Sequence, residues 1–192
     1  MMSGRENCAP RYLGFAAFIA VSTGLGAGCS TSDRCGPGGA PGAGAVASAT
    51  GVALTFGSFV AGANNDCPAA GAPAGVVSLT IHGTQSDGPG QLTLCVSRPD
   101  LLTQRSQALG GDASAEVRVV DLEGSSPGCT YTADRATPVT GTASSTGLCG
   151  NGSDPAGFAL VLDGALALTR TCGATTDGVS VTLRGQVAVS AD

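Results

Sequence analysis

The sequence predicts an all-β domain: a two-sheet antiparallel β-sandwich of about eight strands, with at most one short helix and a set of disulfide staples. Three observations carry this. Residues 157–190, GFALVLDGALALTRTCGATTDGVSVTLRGQVAVS, alternate apolar with small or polar side chains along two long runs joined by a Gly-bearing linker, the pattern of a long hairpin. Shorter alternating runs recur upstream, separated by turn-forming residues. Seven cysteines are scattered through the chain from Cys29 onward with no C-x-x-C spacing, which reads as disulfides and not as a metal site.

The N-terminus is an export address. Arg5 and Arg11 against Glu6 form a positive n-region, and residues 13–25, LGFAAFIAVSTGL, form an uncharged apolar core too short for a comfortable membrane span. Gly26, Ala27 and Gly28 then precede Cys29. In residues 1–30 the chain resembles a bacterial lipoprotein precursor, in which small residues precede the cysteine that is lipidated and becomes the new N-terminus; Leu25 stands four residues before Cys29, where the family usually places an aliphatic residue three before. Plain signal-peptidase cleavage before Cys29 is the alternative, which Gly26 and Gly28 equally permit. Cysteine parity favours lipidation. Cys8 leaves with the signal, and committing Cys29 to lipid leaves an even set: Cys35, Cys67, Cys95, Cys129, Cys149 and Cys172. With Ser30 beside the anchor in place of Asp, the resemblance implies the outer membrane or cell surface. Without lipidation the protein would be periplasmic or secreted.

The expected organisation is therefore a signal peptide at 1–28, an anchor and spacer at 29–50, and a sandwich at 51–192. The spacer reading rests on GPGGAPGAGAVASAT, residues 36–50, whose Gly, Ala and Pro bury too little apolar surface to offset their ordering entropy.

Within the domain, residues 51–60 place Val52, Leu54, Phe56 and Val60 on one face. Val77, Leu79 and Ile81 repeat the pattern against Ser78, Thr80 and His82; after the turn at 84–90, Leu92, Leu94 and Val96 resume it. Cys95 has the opposite parity, so its sulfur is expected away from the apolar face. PDLLTQRSQALGG, residues 99–111, is the one helical candidate, with Asp100 as cap and Gly110 as stop. Strand signals return at AEVRVVDL, CTYTAD and PVTGTASS, and residues 147–157 read as a loop. In the terminal hairpin, parity permits a register in which opposed residue numbers sum to 349, setting Leu160 against Val189 and Gly164 against Gly185; registers two residues away keep the same parity. The facing glycines would leave a notch for a bulky side chain.

Of the fifteen possible cysteine pairings, Cys149 with Cys172 is disfavoured because the extended arm between them would hold them about 45 Å apart. Neighbouring strands favour Cys129 with Cys149, reach along the tether favours Cys35 with Cys67, and Cys95 is left for Cys172.

Chemistry is sparsely supplied. From Cys29 onward there are 7 Arg, no Lys and 13 acidic residues, so the balance is 7 − 13 = −6. This argues against nucleic acid or an anionic membrane surface as partner. GSSPG, residues 124–128, has the G-x-S-x-G form, but Pro127 and a strand follow it and the single His, His82, lies upstream, so a turn is expected. His82 falls on the polar face of a strand and reads as a surface residue. Asn151 and Asp154 could offer oxygens to Ca²⁺ but match no known loop pattern, and the Asn151 sequon is expected to be silent in a bacterium. Missing Trp counts against sugar stacking.

No catalytic, cofactor-binding or metal-binding set is predicted, and no cofactor. The expected function is a non-catalytic binding or structural module of the cell envelope, tethered to the membrane through Cys29, with an envelope protein or small ligand as partner. The alternatives are a secreted inhibitor or small-ligand-binding lipoprotein acting through loops 62–75 or 147–157, and a hydrolase built on carboxylates such as Asp163 or Asp177.

Overall fold

The computed structural model describes residues 44–63, 67, 74–101, 105–151 and 154–190. The chain divides into two units, Met1–Ser30 and Thr31–Asp192, and every described residue lies in the second. The signal region, Cys29, Cys35 and most of the spacer lie outside the described residues.

Among the described residues ten strands follow in order: β1 Ala45–Ala49, β2 Val52–Ala63, β3 Leu79–Gln85, β4 Gln91–Val96, β5 Ser106–Gly110, β6 Val117–Ser126, β7 Cys129–Ala133, β8 Thr140–Asn151, β9 Asp154–Cys172 and β10 Thr175–Ser190. All belong to one sheet, and every pairing is antiparallel except the two-residue contact of β5 with β6. The β-rich expectation holds. Its division into two sheets does not appear. Hydrogen-bonded neighbours run β10–β1–β2–β3–β4–β6–β7–β9, and β9 pairs back onto β10, so the sheet closes on itself as a barrel. Closure removes the exposed edges that a sandwich would leave.

Closure depends on β1. It lies inside the run read as spacer, yet it pairs with β10 on one side and β2 on the other, and Ala45 and Ala47 are wholly buried. A Gly/Ala-rich run suits this place because only small side chains fit where two backbones crowd. Gly185 of β10 has φ +130°, and a Cβ there would collide with the Gly44 carbonyl and lie 2.9 Å from Ala45 Cα.

Inward-facing side chains form one cluster that fills the barrel: Leu54 and Phe56 from β2, Ile81 from β3, Leu92 and Leu94 from β4, Leu122 from β6, and the alternating leucines and valines of β9 and β10. Where β4 begins, β3 would lose its bridge to β6. Gln85 supplies one instead, its Nε2 donating to Ser125 O at 2.6 Å and its Oε1 accepting from Ser125 N at 2.8 Å.

Several local expectations are corrected. Val60 is 59% exposed, because a bulge between Gly57 and Val60, with Ser58 at φ 50°, switches the strand's parity; Phe59 takes the packed position over Gly83 instead. Val77 is exposed, since β3 starts only at Leu79. The helical candidate is a single 3-10 turn, Pro99–Leu101, and its second half is β5, whose buried Gln107 and Leu109 follow a strand's period of two. The expected loop at 147–157 is mostly strand, with Leu148 opposite Phe158 and Asn151 opposite Asp154.

The terminal hairpin keeps the expected parity but slips by two residues. Leu160 faces Val187 and Leu168 faces Val179, so opposed numbers sum to 347. The turn decides this: Cys172 opposes Thr175 across a two-residue loop in which Gly173 takes φ +59°, and loop length fixes register. Gly164 therefore faces Leu183, not Gly185. A Cβ on Gly164 would lie 2.6 Å from Leu109 Cδ2 and 2.9 Å from the Thr140 carbonyl, so the bulky neighbour of this glycine comes from β5.

Candidate ligand cleft at the barrel seam

Among the described residues two disulfides brace the sheet, and their pairing corrects all three expected bonds. Cys129 joins Cys172, with Cα atoms 4.2 Å apart, because β7 pairs with β9 and sets the two residues directly opposite. Cys67 joins Cys95, with Cα atoms 6.2 Å apart. Chain order explains this bond: Cys67 follows β2, which pairs with β3, and β3 pairs with β4, which carries Cys95. Cys95 lies on the outer face, as its parity requires, yet it is fully buried. The strand β9 is unbroken over 19 residues, in keeping with the rejected bond between Cys149 and Cys172. Cys149 stands in β8 opposite Gly157; its side chain, like Cys35, lies outside the described residues.

The barrel wall has a seam. Along one edge of β6, Val117 and Arg118 meet β5, whereas Glu123 to Ser126 meet β7. Along the facing edge of β9, residues up to Ala165 meet β8, and Leu168 onward meets β7. Between these contacts Val119, Val120, Leu166 and Ala167 border an opening, and the β7–β8 connection crosses beside it through Asp134 N donating to Ala167 O at 2.9 Å. A cleft of about 660 Å³ occupies the seam and continues over the outer face of β3, β4 and β6, where Thr80, His82, Thr93 and Arg118 line it. That volume falls in the range of small-molecule sites.

Its polar groups divide into satisfied and unsatisfied. Gln91 Nε2 donates to His82 Nδ1 at 2.7 Å and to Thr93 Oγ1 at 2.8 Å, so in the neutral ring His82 carries its proton on Nε2. Among the described residues no carboxylate hydrogen-bonds His82, so the imidazole and Thr93 form a polar cluster without the third member of a triad. Asp112 accepts from the Ser114 hydroxyl and from Ser114 N, and these bonds, aided by the charge of Arg118, hold its carboxyl below the ordinary 3.8. Asp134 accepts from Ala136 N at 2.9 Å and Thr137 Oγ1 at 2.8 Å, and is lowered for the same reason. Arg135 is paired with Asp121 at 3.4 Å.

Arg118 differs. Its Nε is shut off from solvent with no acceptor among the described residues, and Nη2 meets the Cys95 sulfur at 3.6 Å. A disulfide sulfur is a poor acceptor, and leaving a buried donor unmatched costs about 1–3 kcal/mol.

The other residues singled out from sequence stand elsewhere. Ser126 of GSSPG sits at the β6–β7 turn, where Cys129 opposes it, and its hydroxyl meets Tyr131 Oη at 3.1 Å; a strand follows the turn, so the helix of a nucleophile elbow is missing there. Asp163 pairs with Arg184 and Asp177 with Arg170, each at 2.9 Å. These cross-strand partners lie seven positions apart along the β9–β10 ribbon, about 23 Å, and neither carboxylate lines the cleft. Among the described residues no group of three or more metal-ligating side chains converges. Comparison with family models, with curated proteins and with solved structures finds no match.

Proposed function

We propose that this is an exported, envelope-tethered module that binds a small ligand non-catalytically in the cleft at the barrel seam. The observation that carries the reading is a cleft of small-molecule size braced along its outer-face wall by the Cys67–Cys95 bond. Disulfides are compatible with an oxidising, non-cytoplasmic compartment. The charged leader and the small residues before Cys29 support export and lipidation at Cys29, with the outer membrane or cell surface as destination. A spacer from Cys29 toward β1 would hold the barrel off the membrane.

Two measurements test it. Cys29→Ala should move the protein from the membrane fraction to the soluble one; a variant that stays membrane-bound removes the tether. Native mass spectrometry of protein released gently from its own envelopes should show a small-molecule adduct, lost in Ala167→Trp, which fills the cleft. An adduct that survives this substitution places the binding elsewhere, and no adduct removes the binding role.

A further inference from the structure

We infer that the cleft takes an amphiphilic monocarboxylate, with its head group at Arg118 and its apolar body along the seam. This rests on the binding role proposed above and adds the ligand's chemistry. The charges on the cleft wall point to the head group. Asp112 and Asp134 are engaged by donors of their own loops, and Arg135 is engaged by Asp121. Arg118 is the cation of the lining without a carboxylate at ion-pair distance among the described residues; its Nε is walled off, so the terminal nitrogens of its guanidinium are the donors that a ligand in the cleft would meet. A planar guanidinium in that condition matches a planar carboxylate.

The same wall disfavours other classes. A dianionic phosphate would share the lining with Asp112 and Asp134, with the Arg118 guanidinium, whose charge already acts on Asp112, to offset it. A cation would meet Arg118 itself. Val119, Val120, Pro138, Val139 and Leu166 give the remainder of the lining an apolar character suited to an alkyl or alicyclic body.

Sodium octanoate, octanol and inorganic phosphate, titrated calorimetrically into the oxidised protein, test this. Octanoate should bind, octanol about tenfold or more weaker, and phosphate not measurably. Arg118→Met should weaken octanoate about tenfold and leave octanol unchanged. Should Arg118→Met fail to fold, Ala136→Glu serves: this exposed side chain lines the cleft and is not one of the apolar residues named above, so the change leaves the core and the apolar wall intact while adding a negative charge at the cleft. It should weaken octanoate and spare octanol. Equal binding of octanoate and octanol, or an octanoate affinity indifferent to both substitutions, overturns the inference. Failure of all three probes alongside a native adduct that Ala167→Trp abolishes also overturns it, while leaving the binding role standing.

Discussion

Gly185→Ala probes whether β1 closes the barrel. Gly185 has φ +130°, a region almost confined to glycine, and holding an L residue there costs on the order of 1–3 kcal/mol. The added methyl would strike the Gly44 carbonyl and crowd Ala45 Cα at 2.9 Å. Both are backbone atoms, so no rotamer relieves the clash and β1 must move off β10. That movement gives up the bond from Gln186 N to Gly44 O, at 3.3 Å, which contributes on the order of 1 kcal/mol. Together these amount to about 2–4 kcal/mol, a large share of the roughly 5–15 kcal/mol available to a domain. Equilibrium urea unfolding of the oxidised protein measures the loss, and hydrogen exchange locates it: amides of Ala45–Ala49 should lose protection before those of β3 and β4. Stability within about 0.5 kcal/mol of the parent, with β1 equally protected, would refute the closure argument.

Other perturbations report on the brace, the core and the loops. Replacing Cys67 and Cys95 together by Ala releases a loop closed over a separation of 28 residues, for which chain entropy gives a loss of about 3.6 kcal/mol, read from urea midpoints. Leu109→Ala should cost about 2–5 kcal/mol by opening a void over Gly164; a cost below about 1 kcal/mol would mean that β5 does not pack there. Asp134→Asn should destabilise the protein at neutral pH and much less in acid. Its folded carboxyl lies below the ordinary 3.8, so it binds its proton less readily folded than unfolded, and its contribution is present above 3.8 and lost as pH falls through the lower folded value. A stability difference that stays constant from pH 7 to pH 2 would count against the Ala136 and Thr137 bonds as its source.

Much of the fold was legible because alternation is a local property. The inward sets of β3, β4, β9 and β10 follow parity, as do the outward His82 and Cys95. What was not legible depends on partners distant in sequence. Val60 leaves its expected face because of one bulge, and the PDLLTQRSQALGG run becomes strand because β6 and β8 accept Gln107 to Gly110 between them. The two-residue register error lay among alternatives of equal parity, which only the turn at Gly173 separates. Cysteine pairing failed for the same reason: β7 pairs with β9 and not β8, which no spacing announces. Arg118 was not singled out within the AEVRVVDL strand signal. Its place beside the Cys95 sulfur follows from the pairing of β4 with β6, which sets Cys95 opposite Arg118, a fact of topology.

With Cys67, Cys95, Cys129 and Cys172 consumed, parity leaves Cys35 for Cys149 once Cys29 carries lipid. The intact mass of the mature chain, taken from its own membranes without reduction, therefore tests export, tether and oxidation together. The mature chain should begin at Cys29 and carry acyl groups there, with every other cysteine oxidised and a non-reduced peptide joining Cys35 to Cys149. A chain that retains residues 1–28, or that carries free thiols at Cys35 and Cys149 with no acyl mass on Cys29, would contradict it.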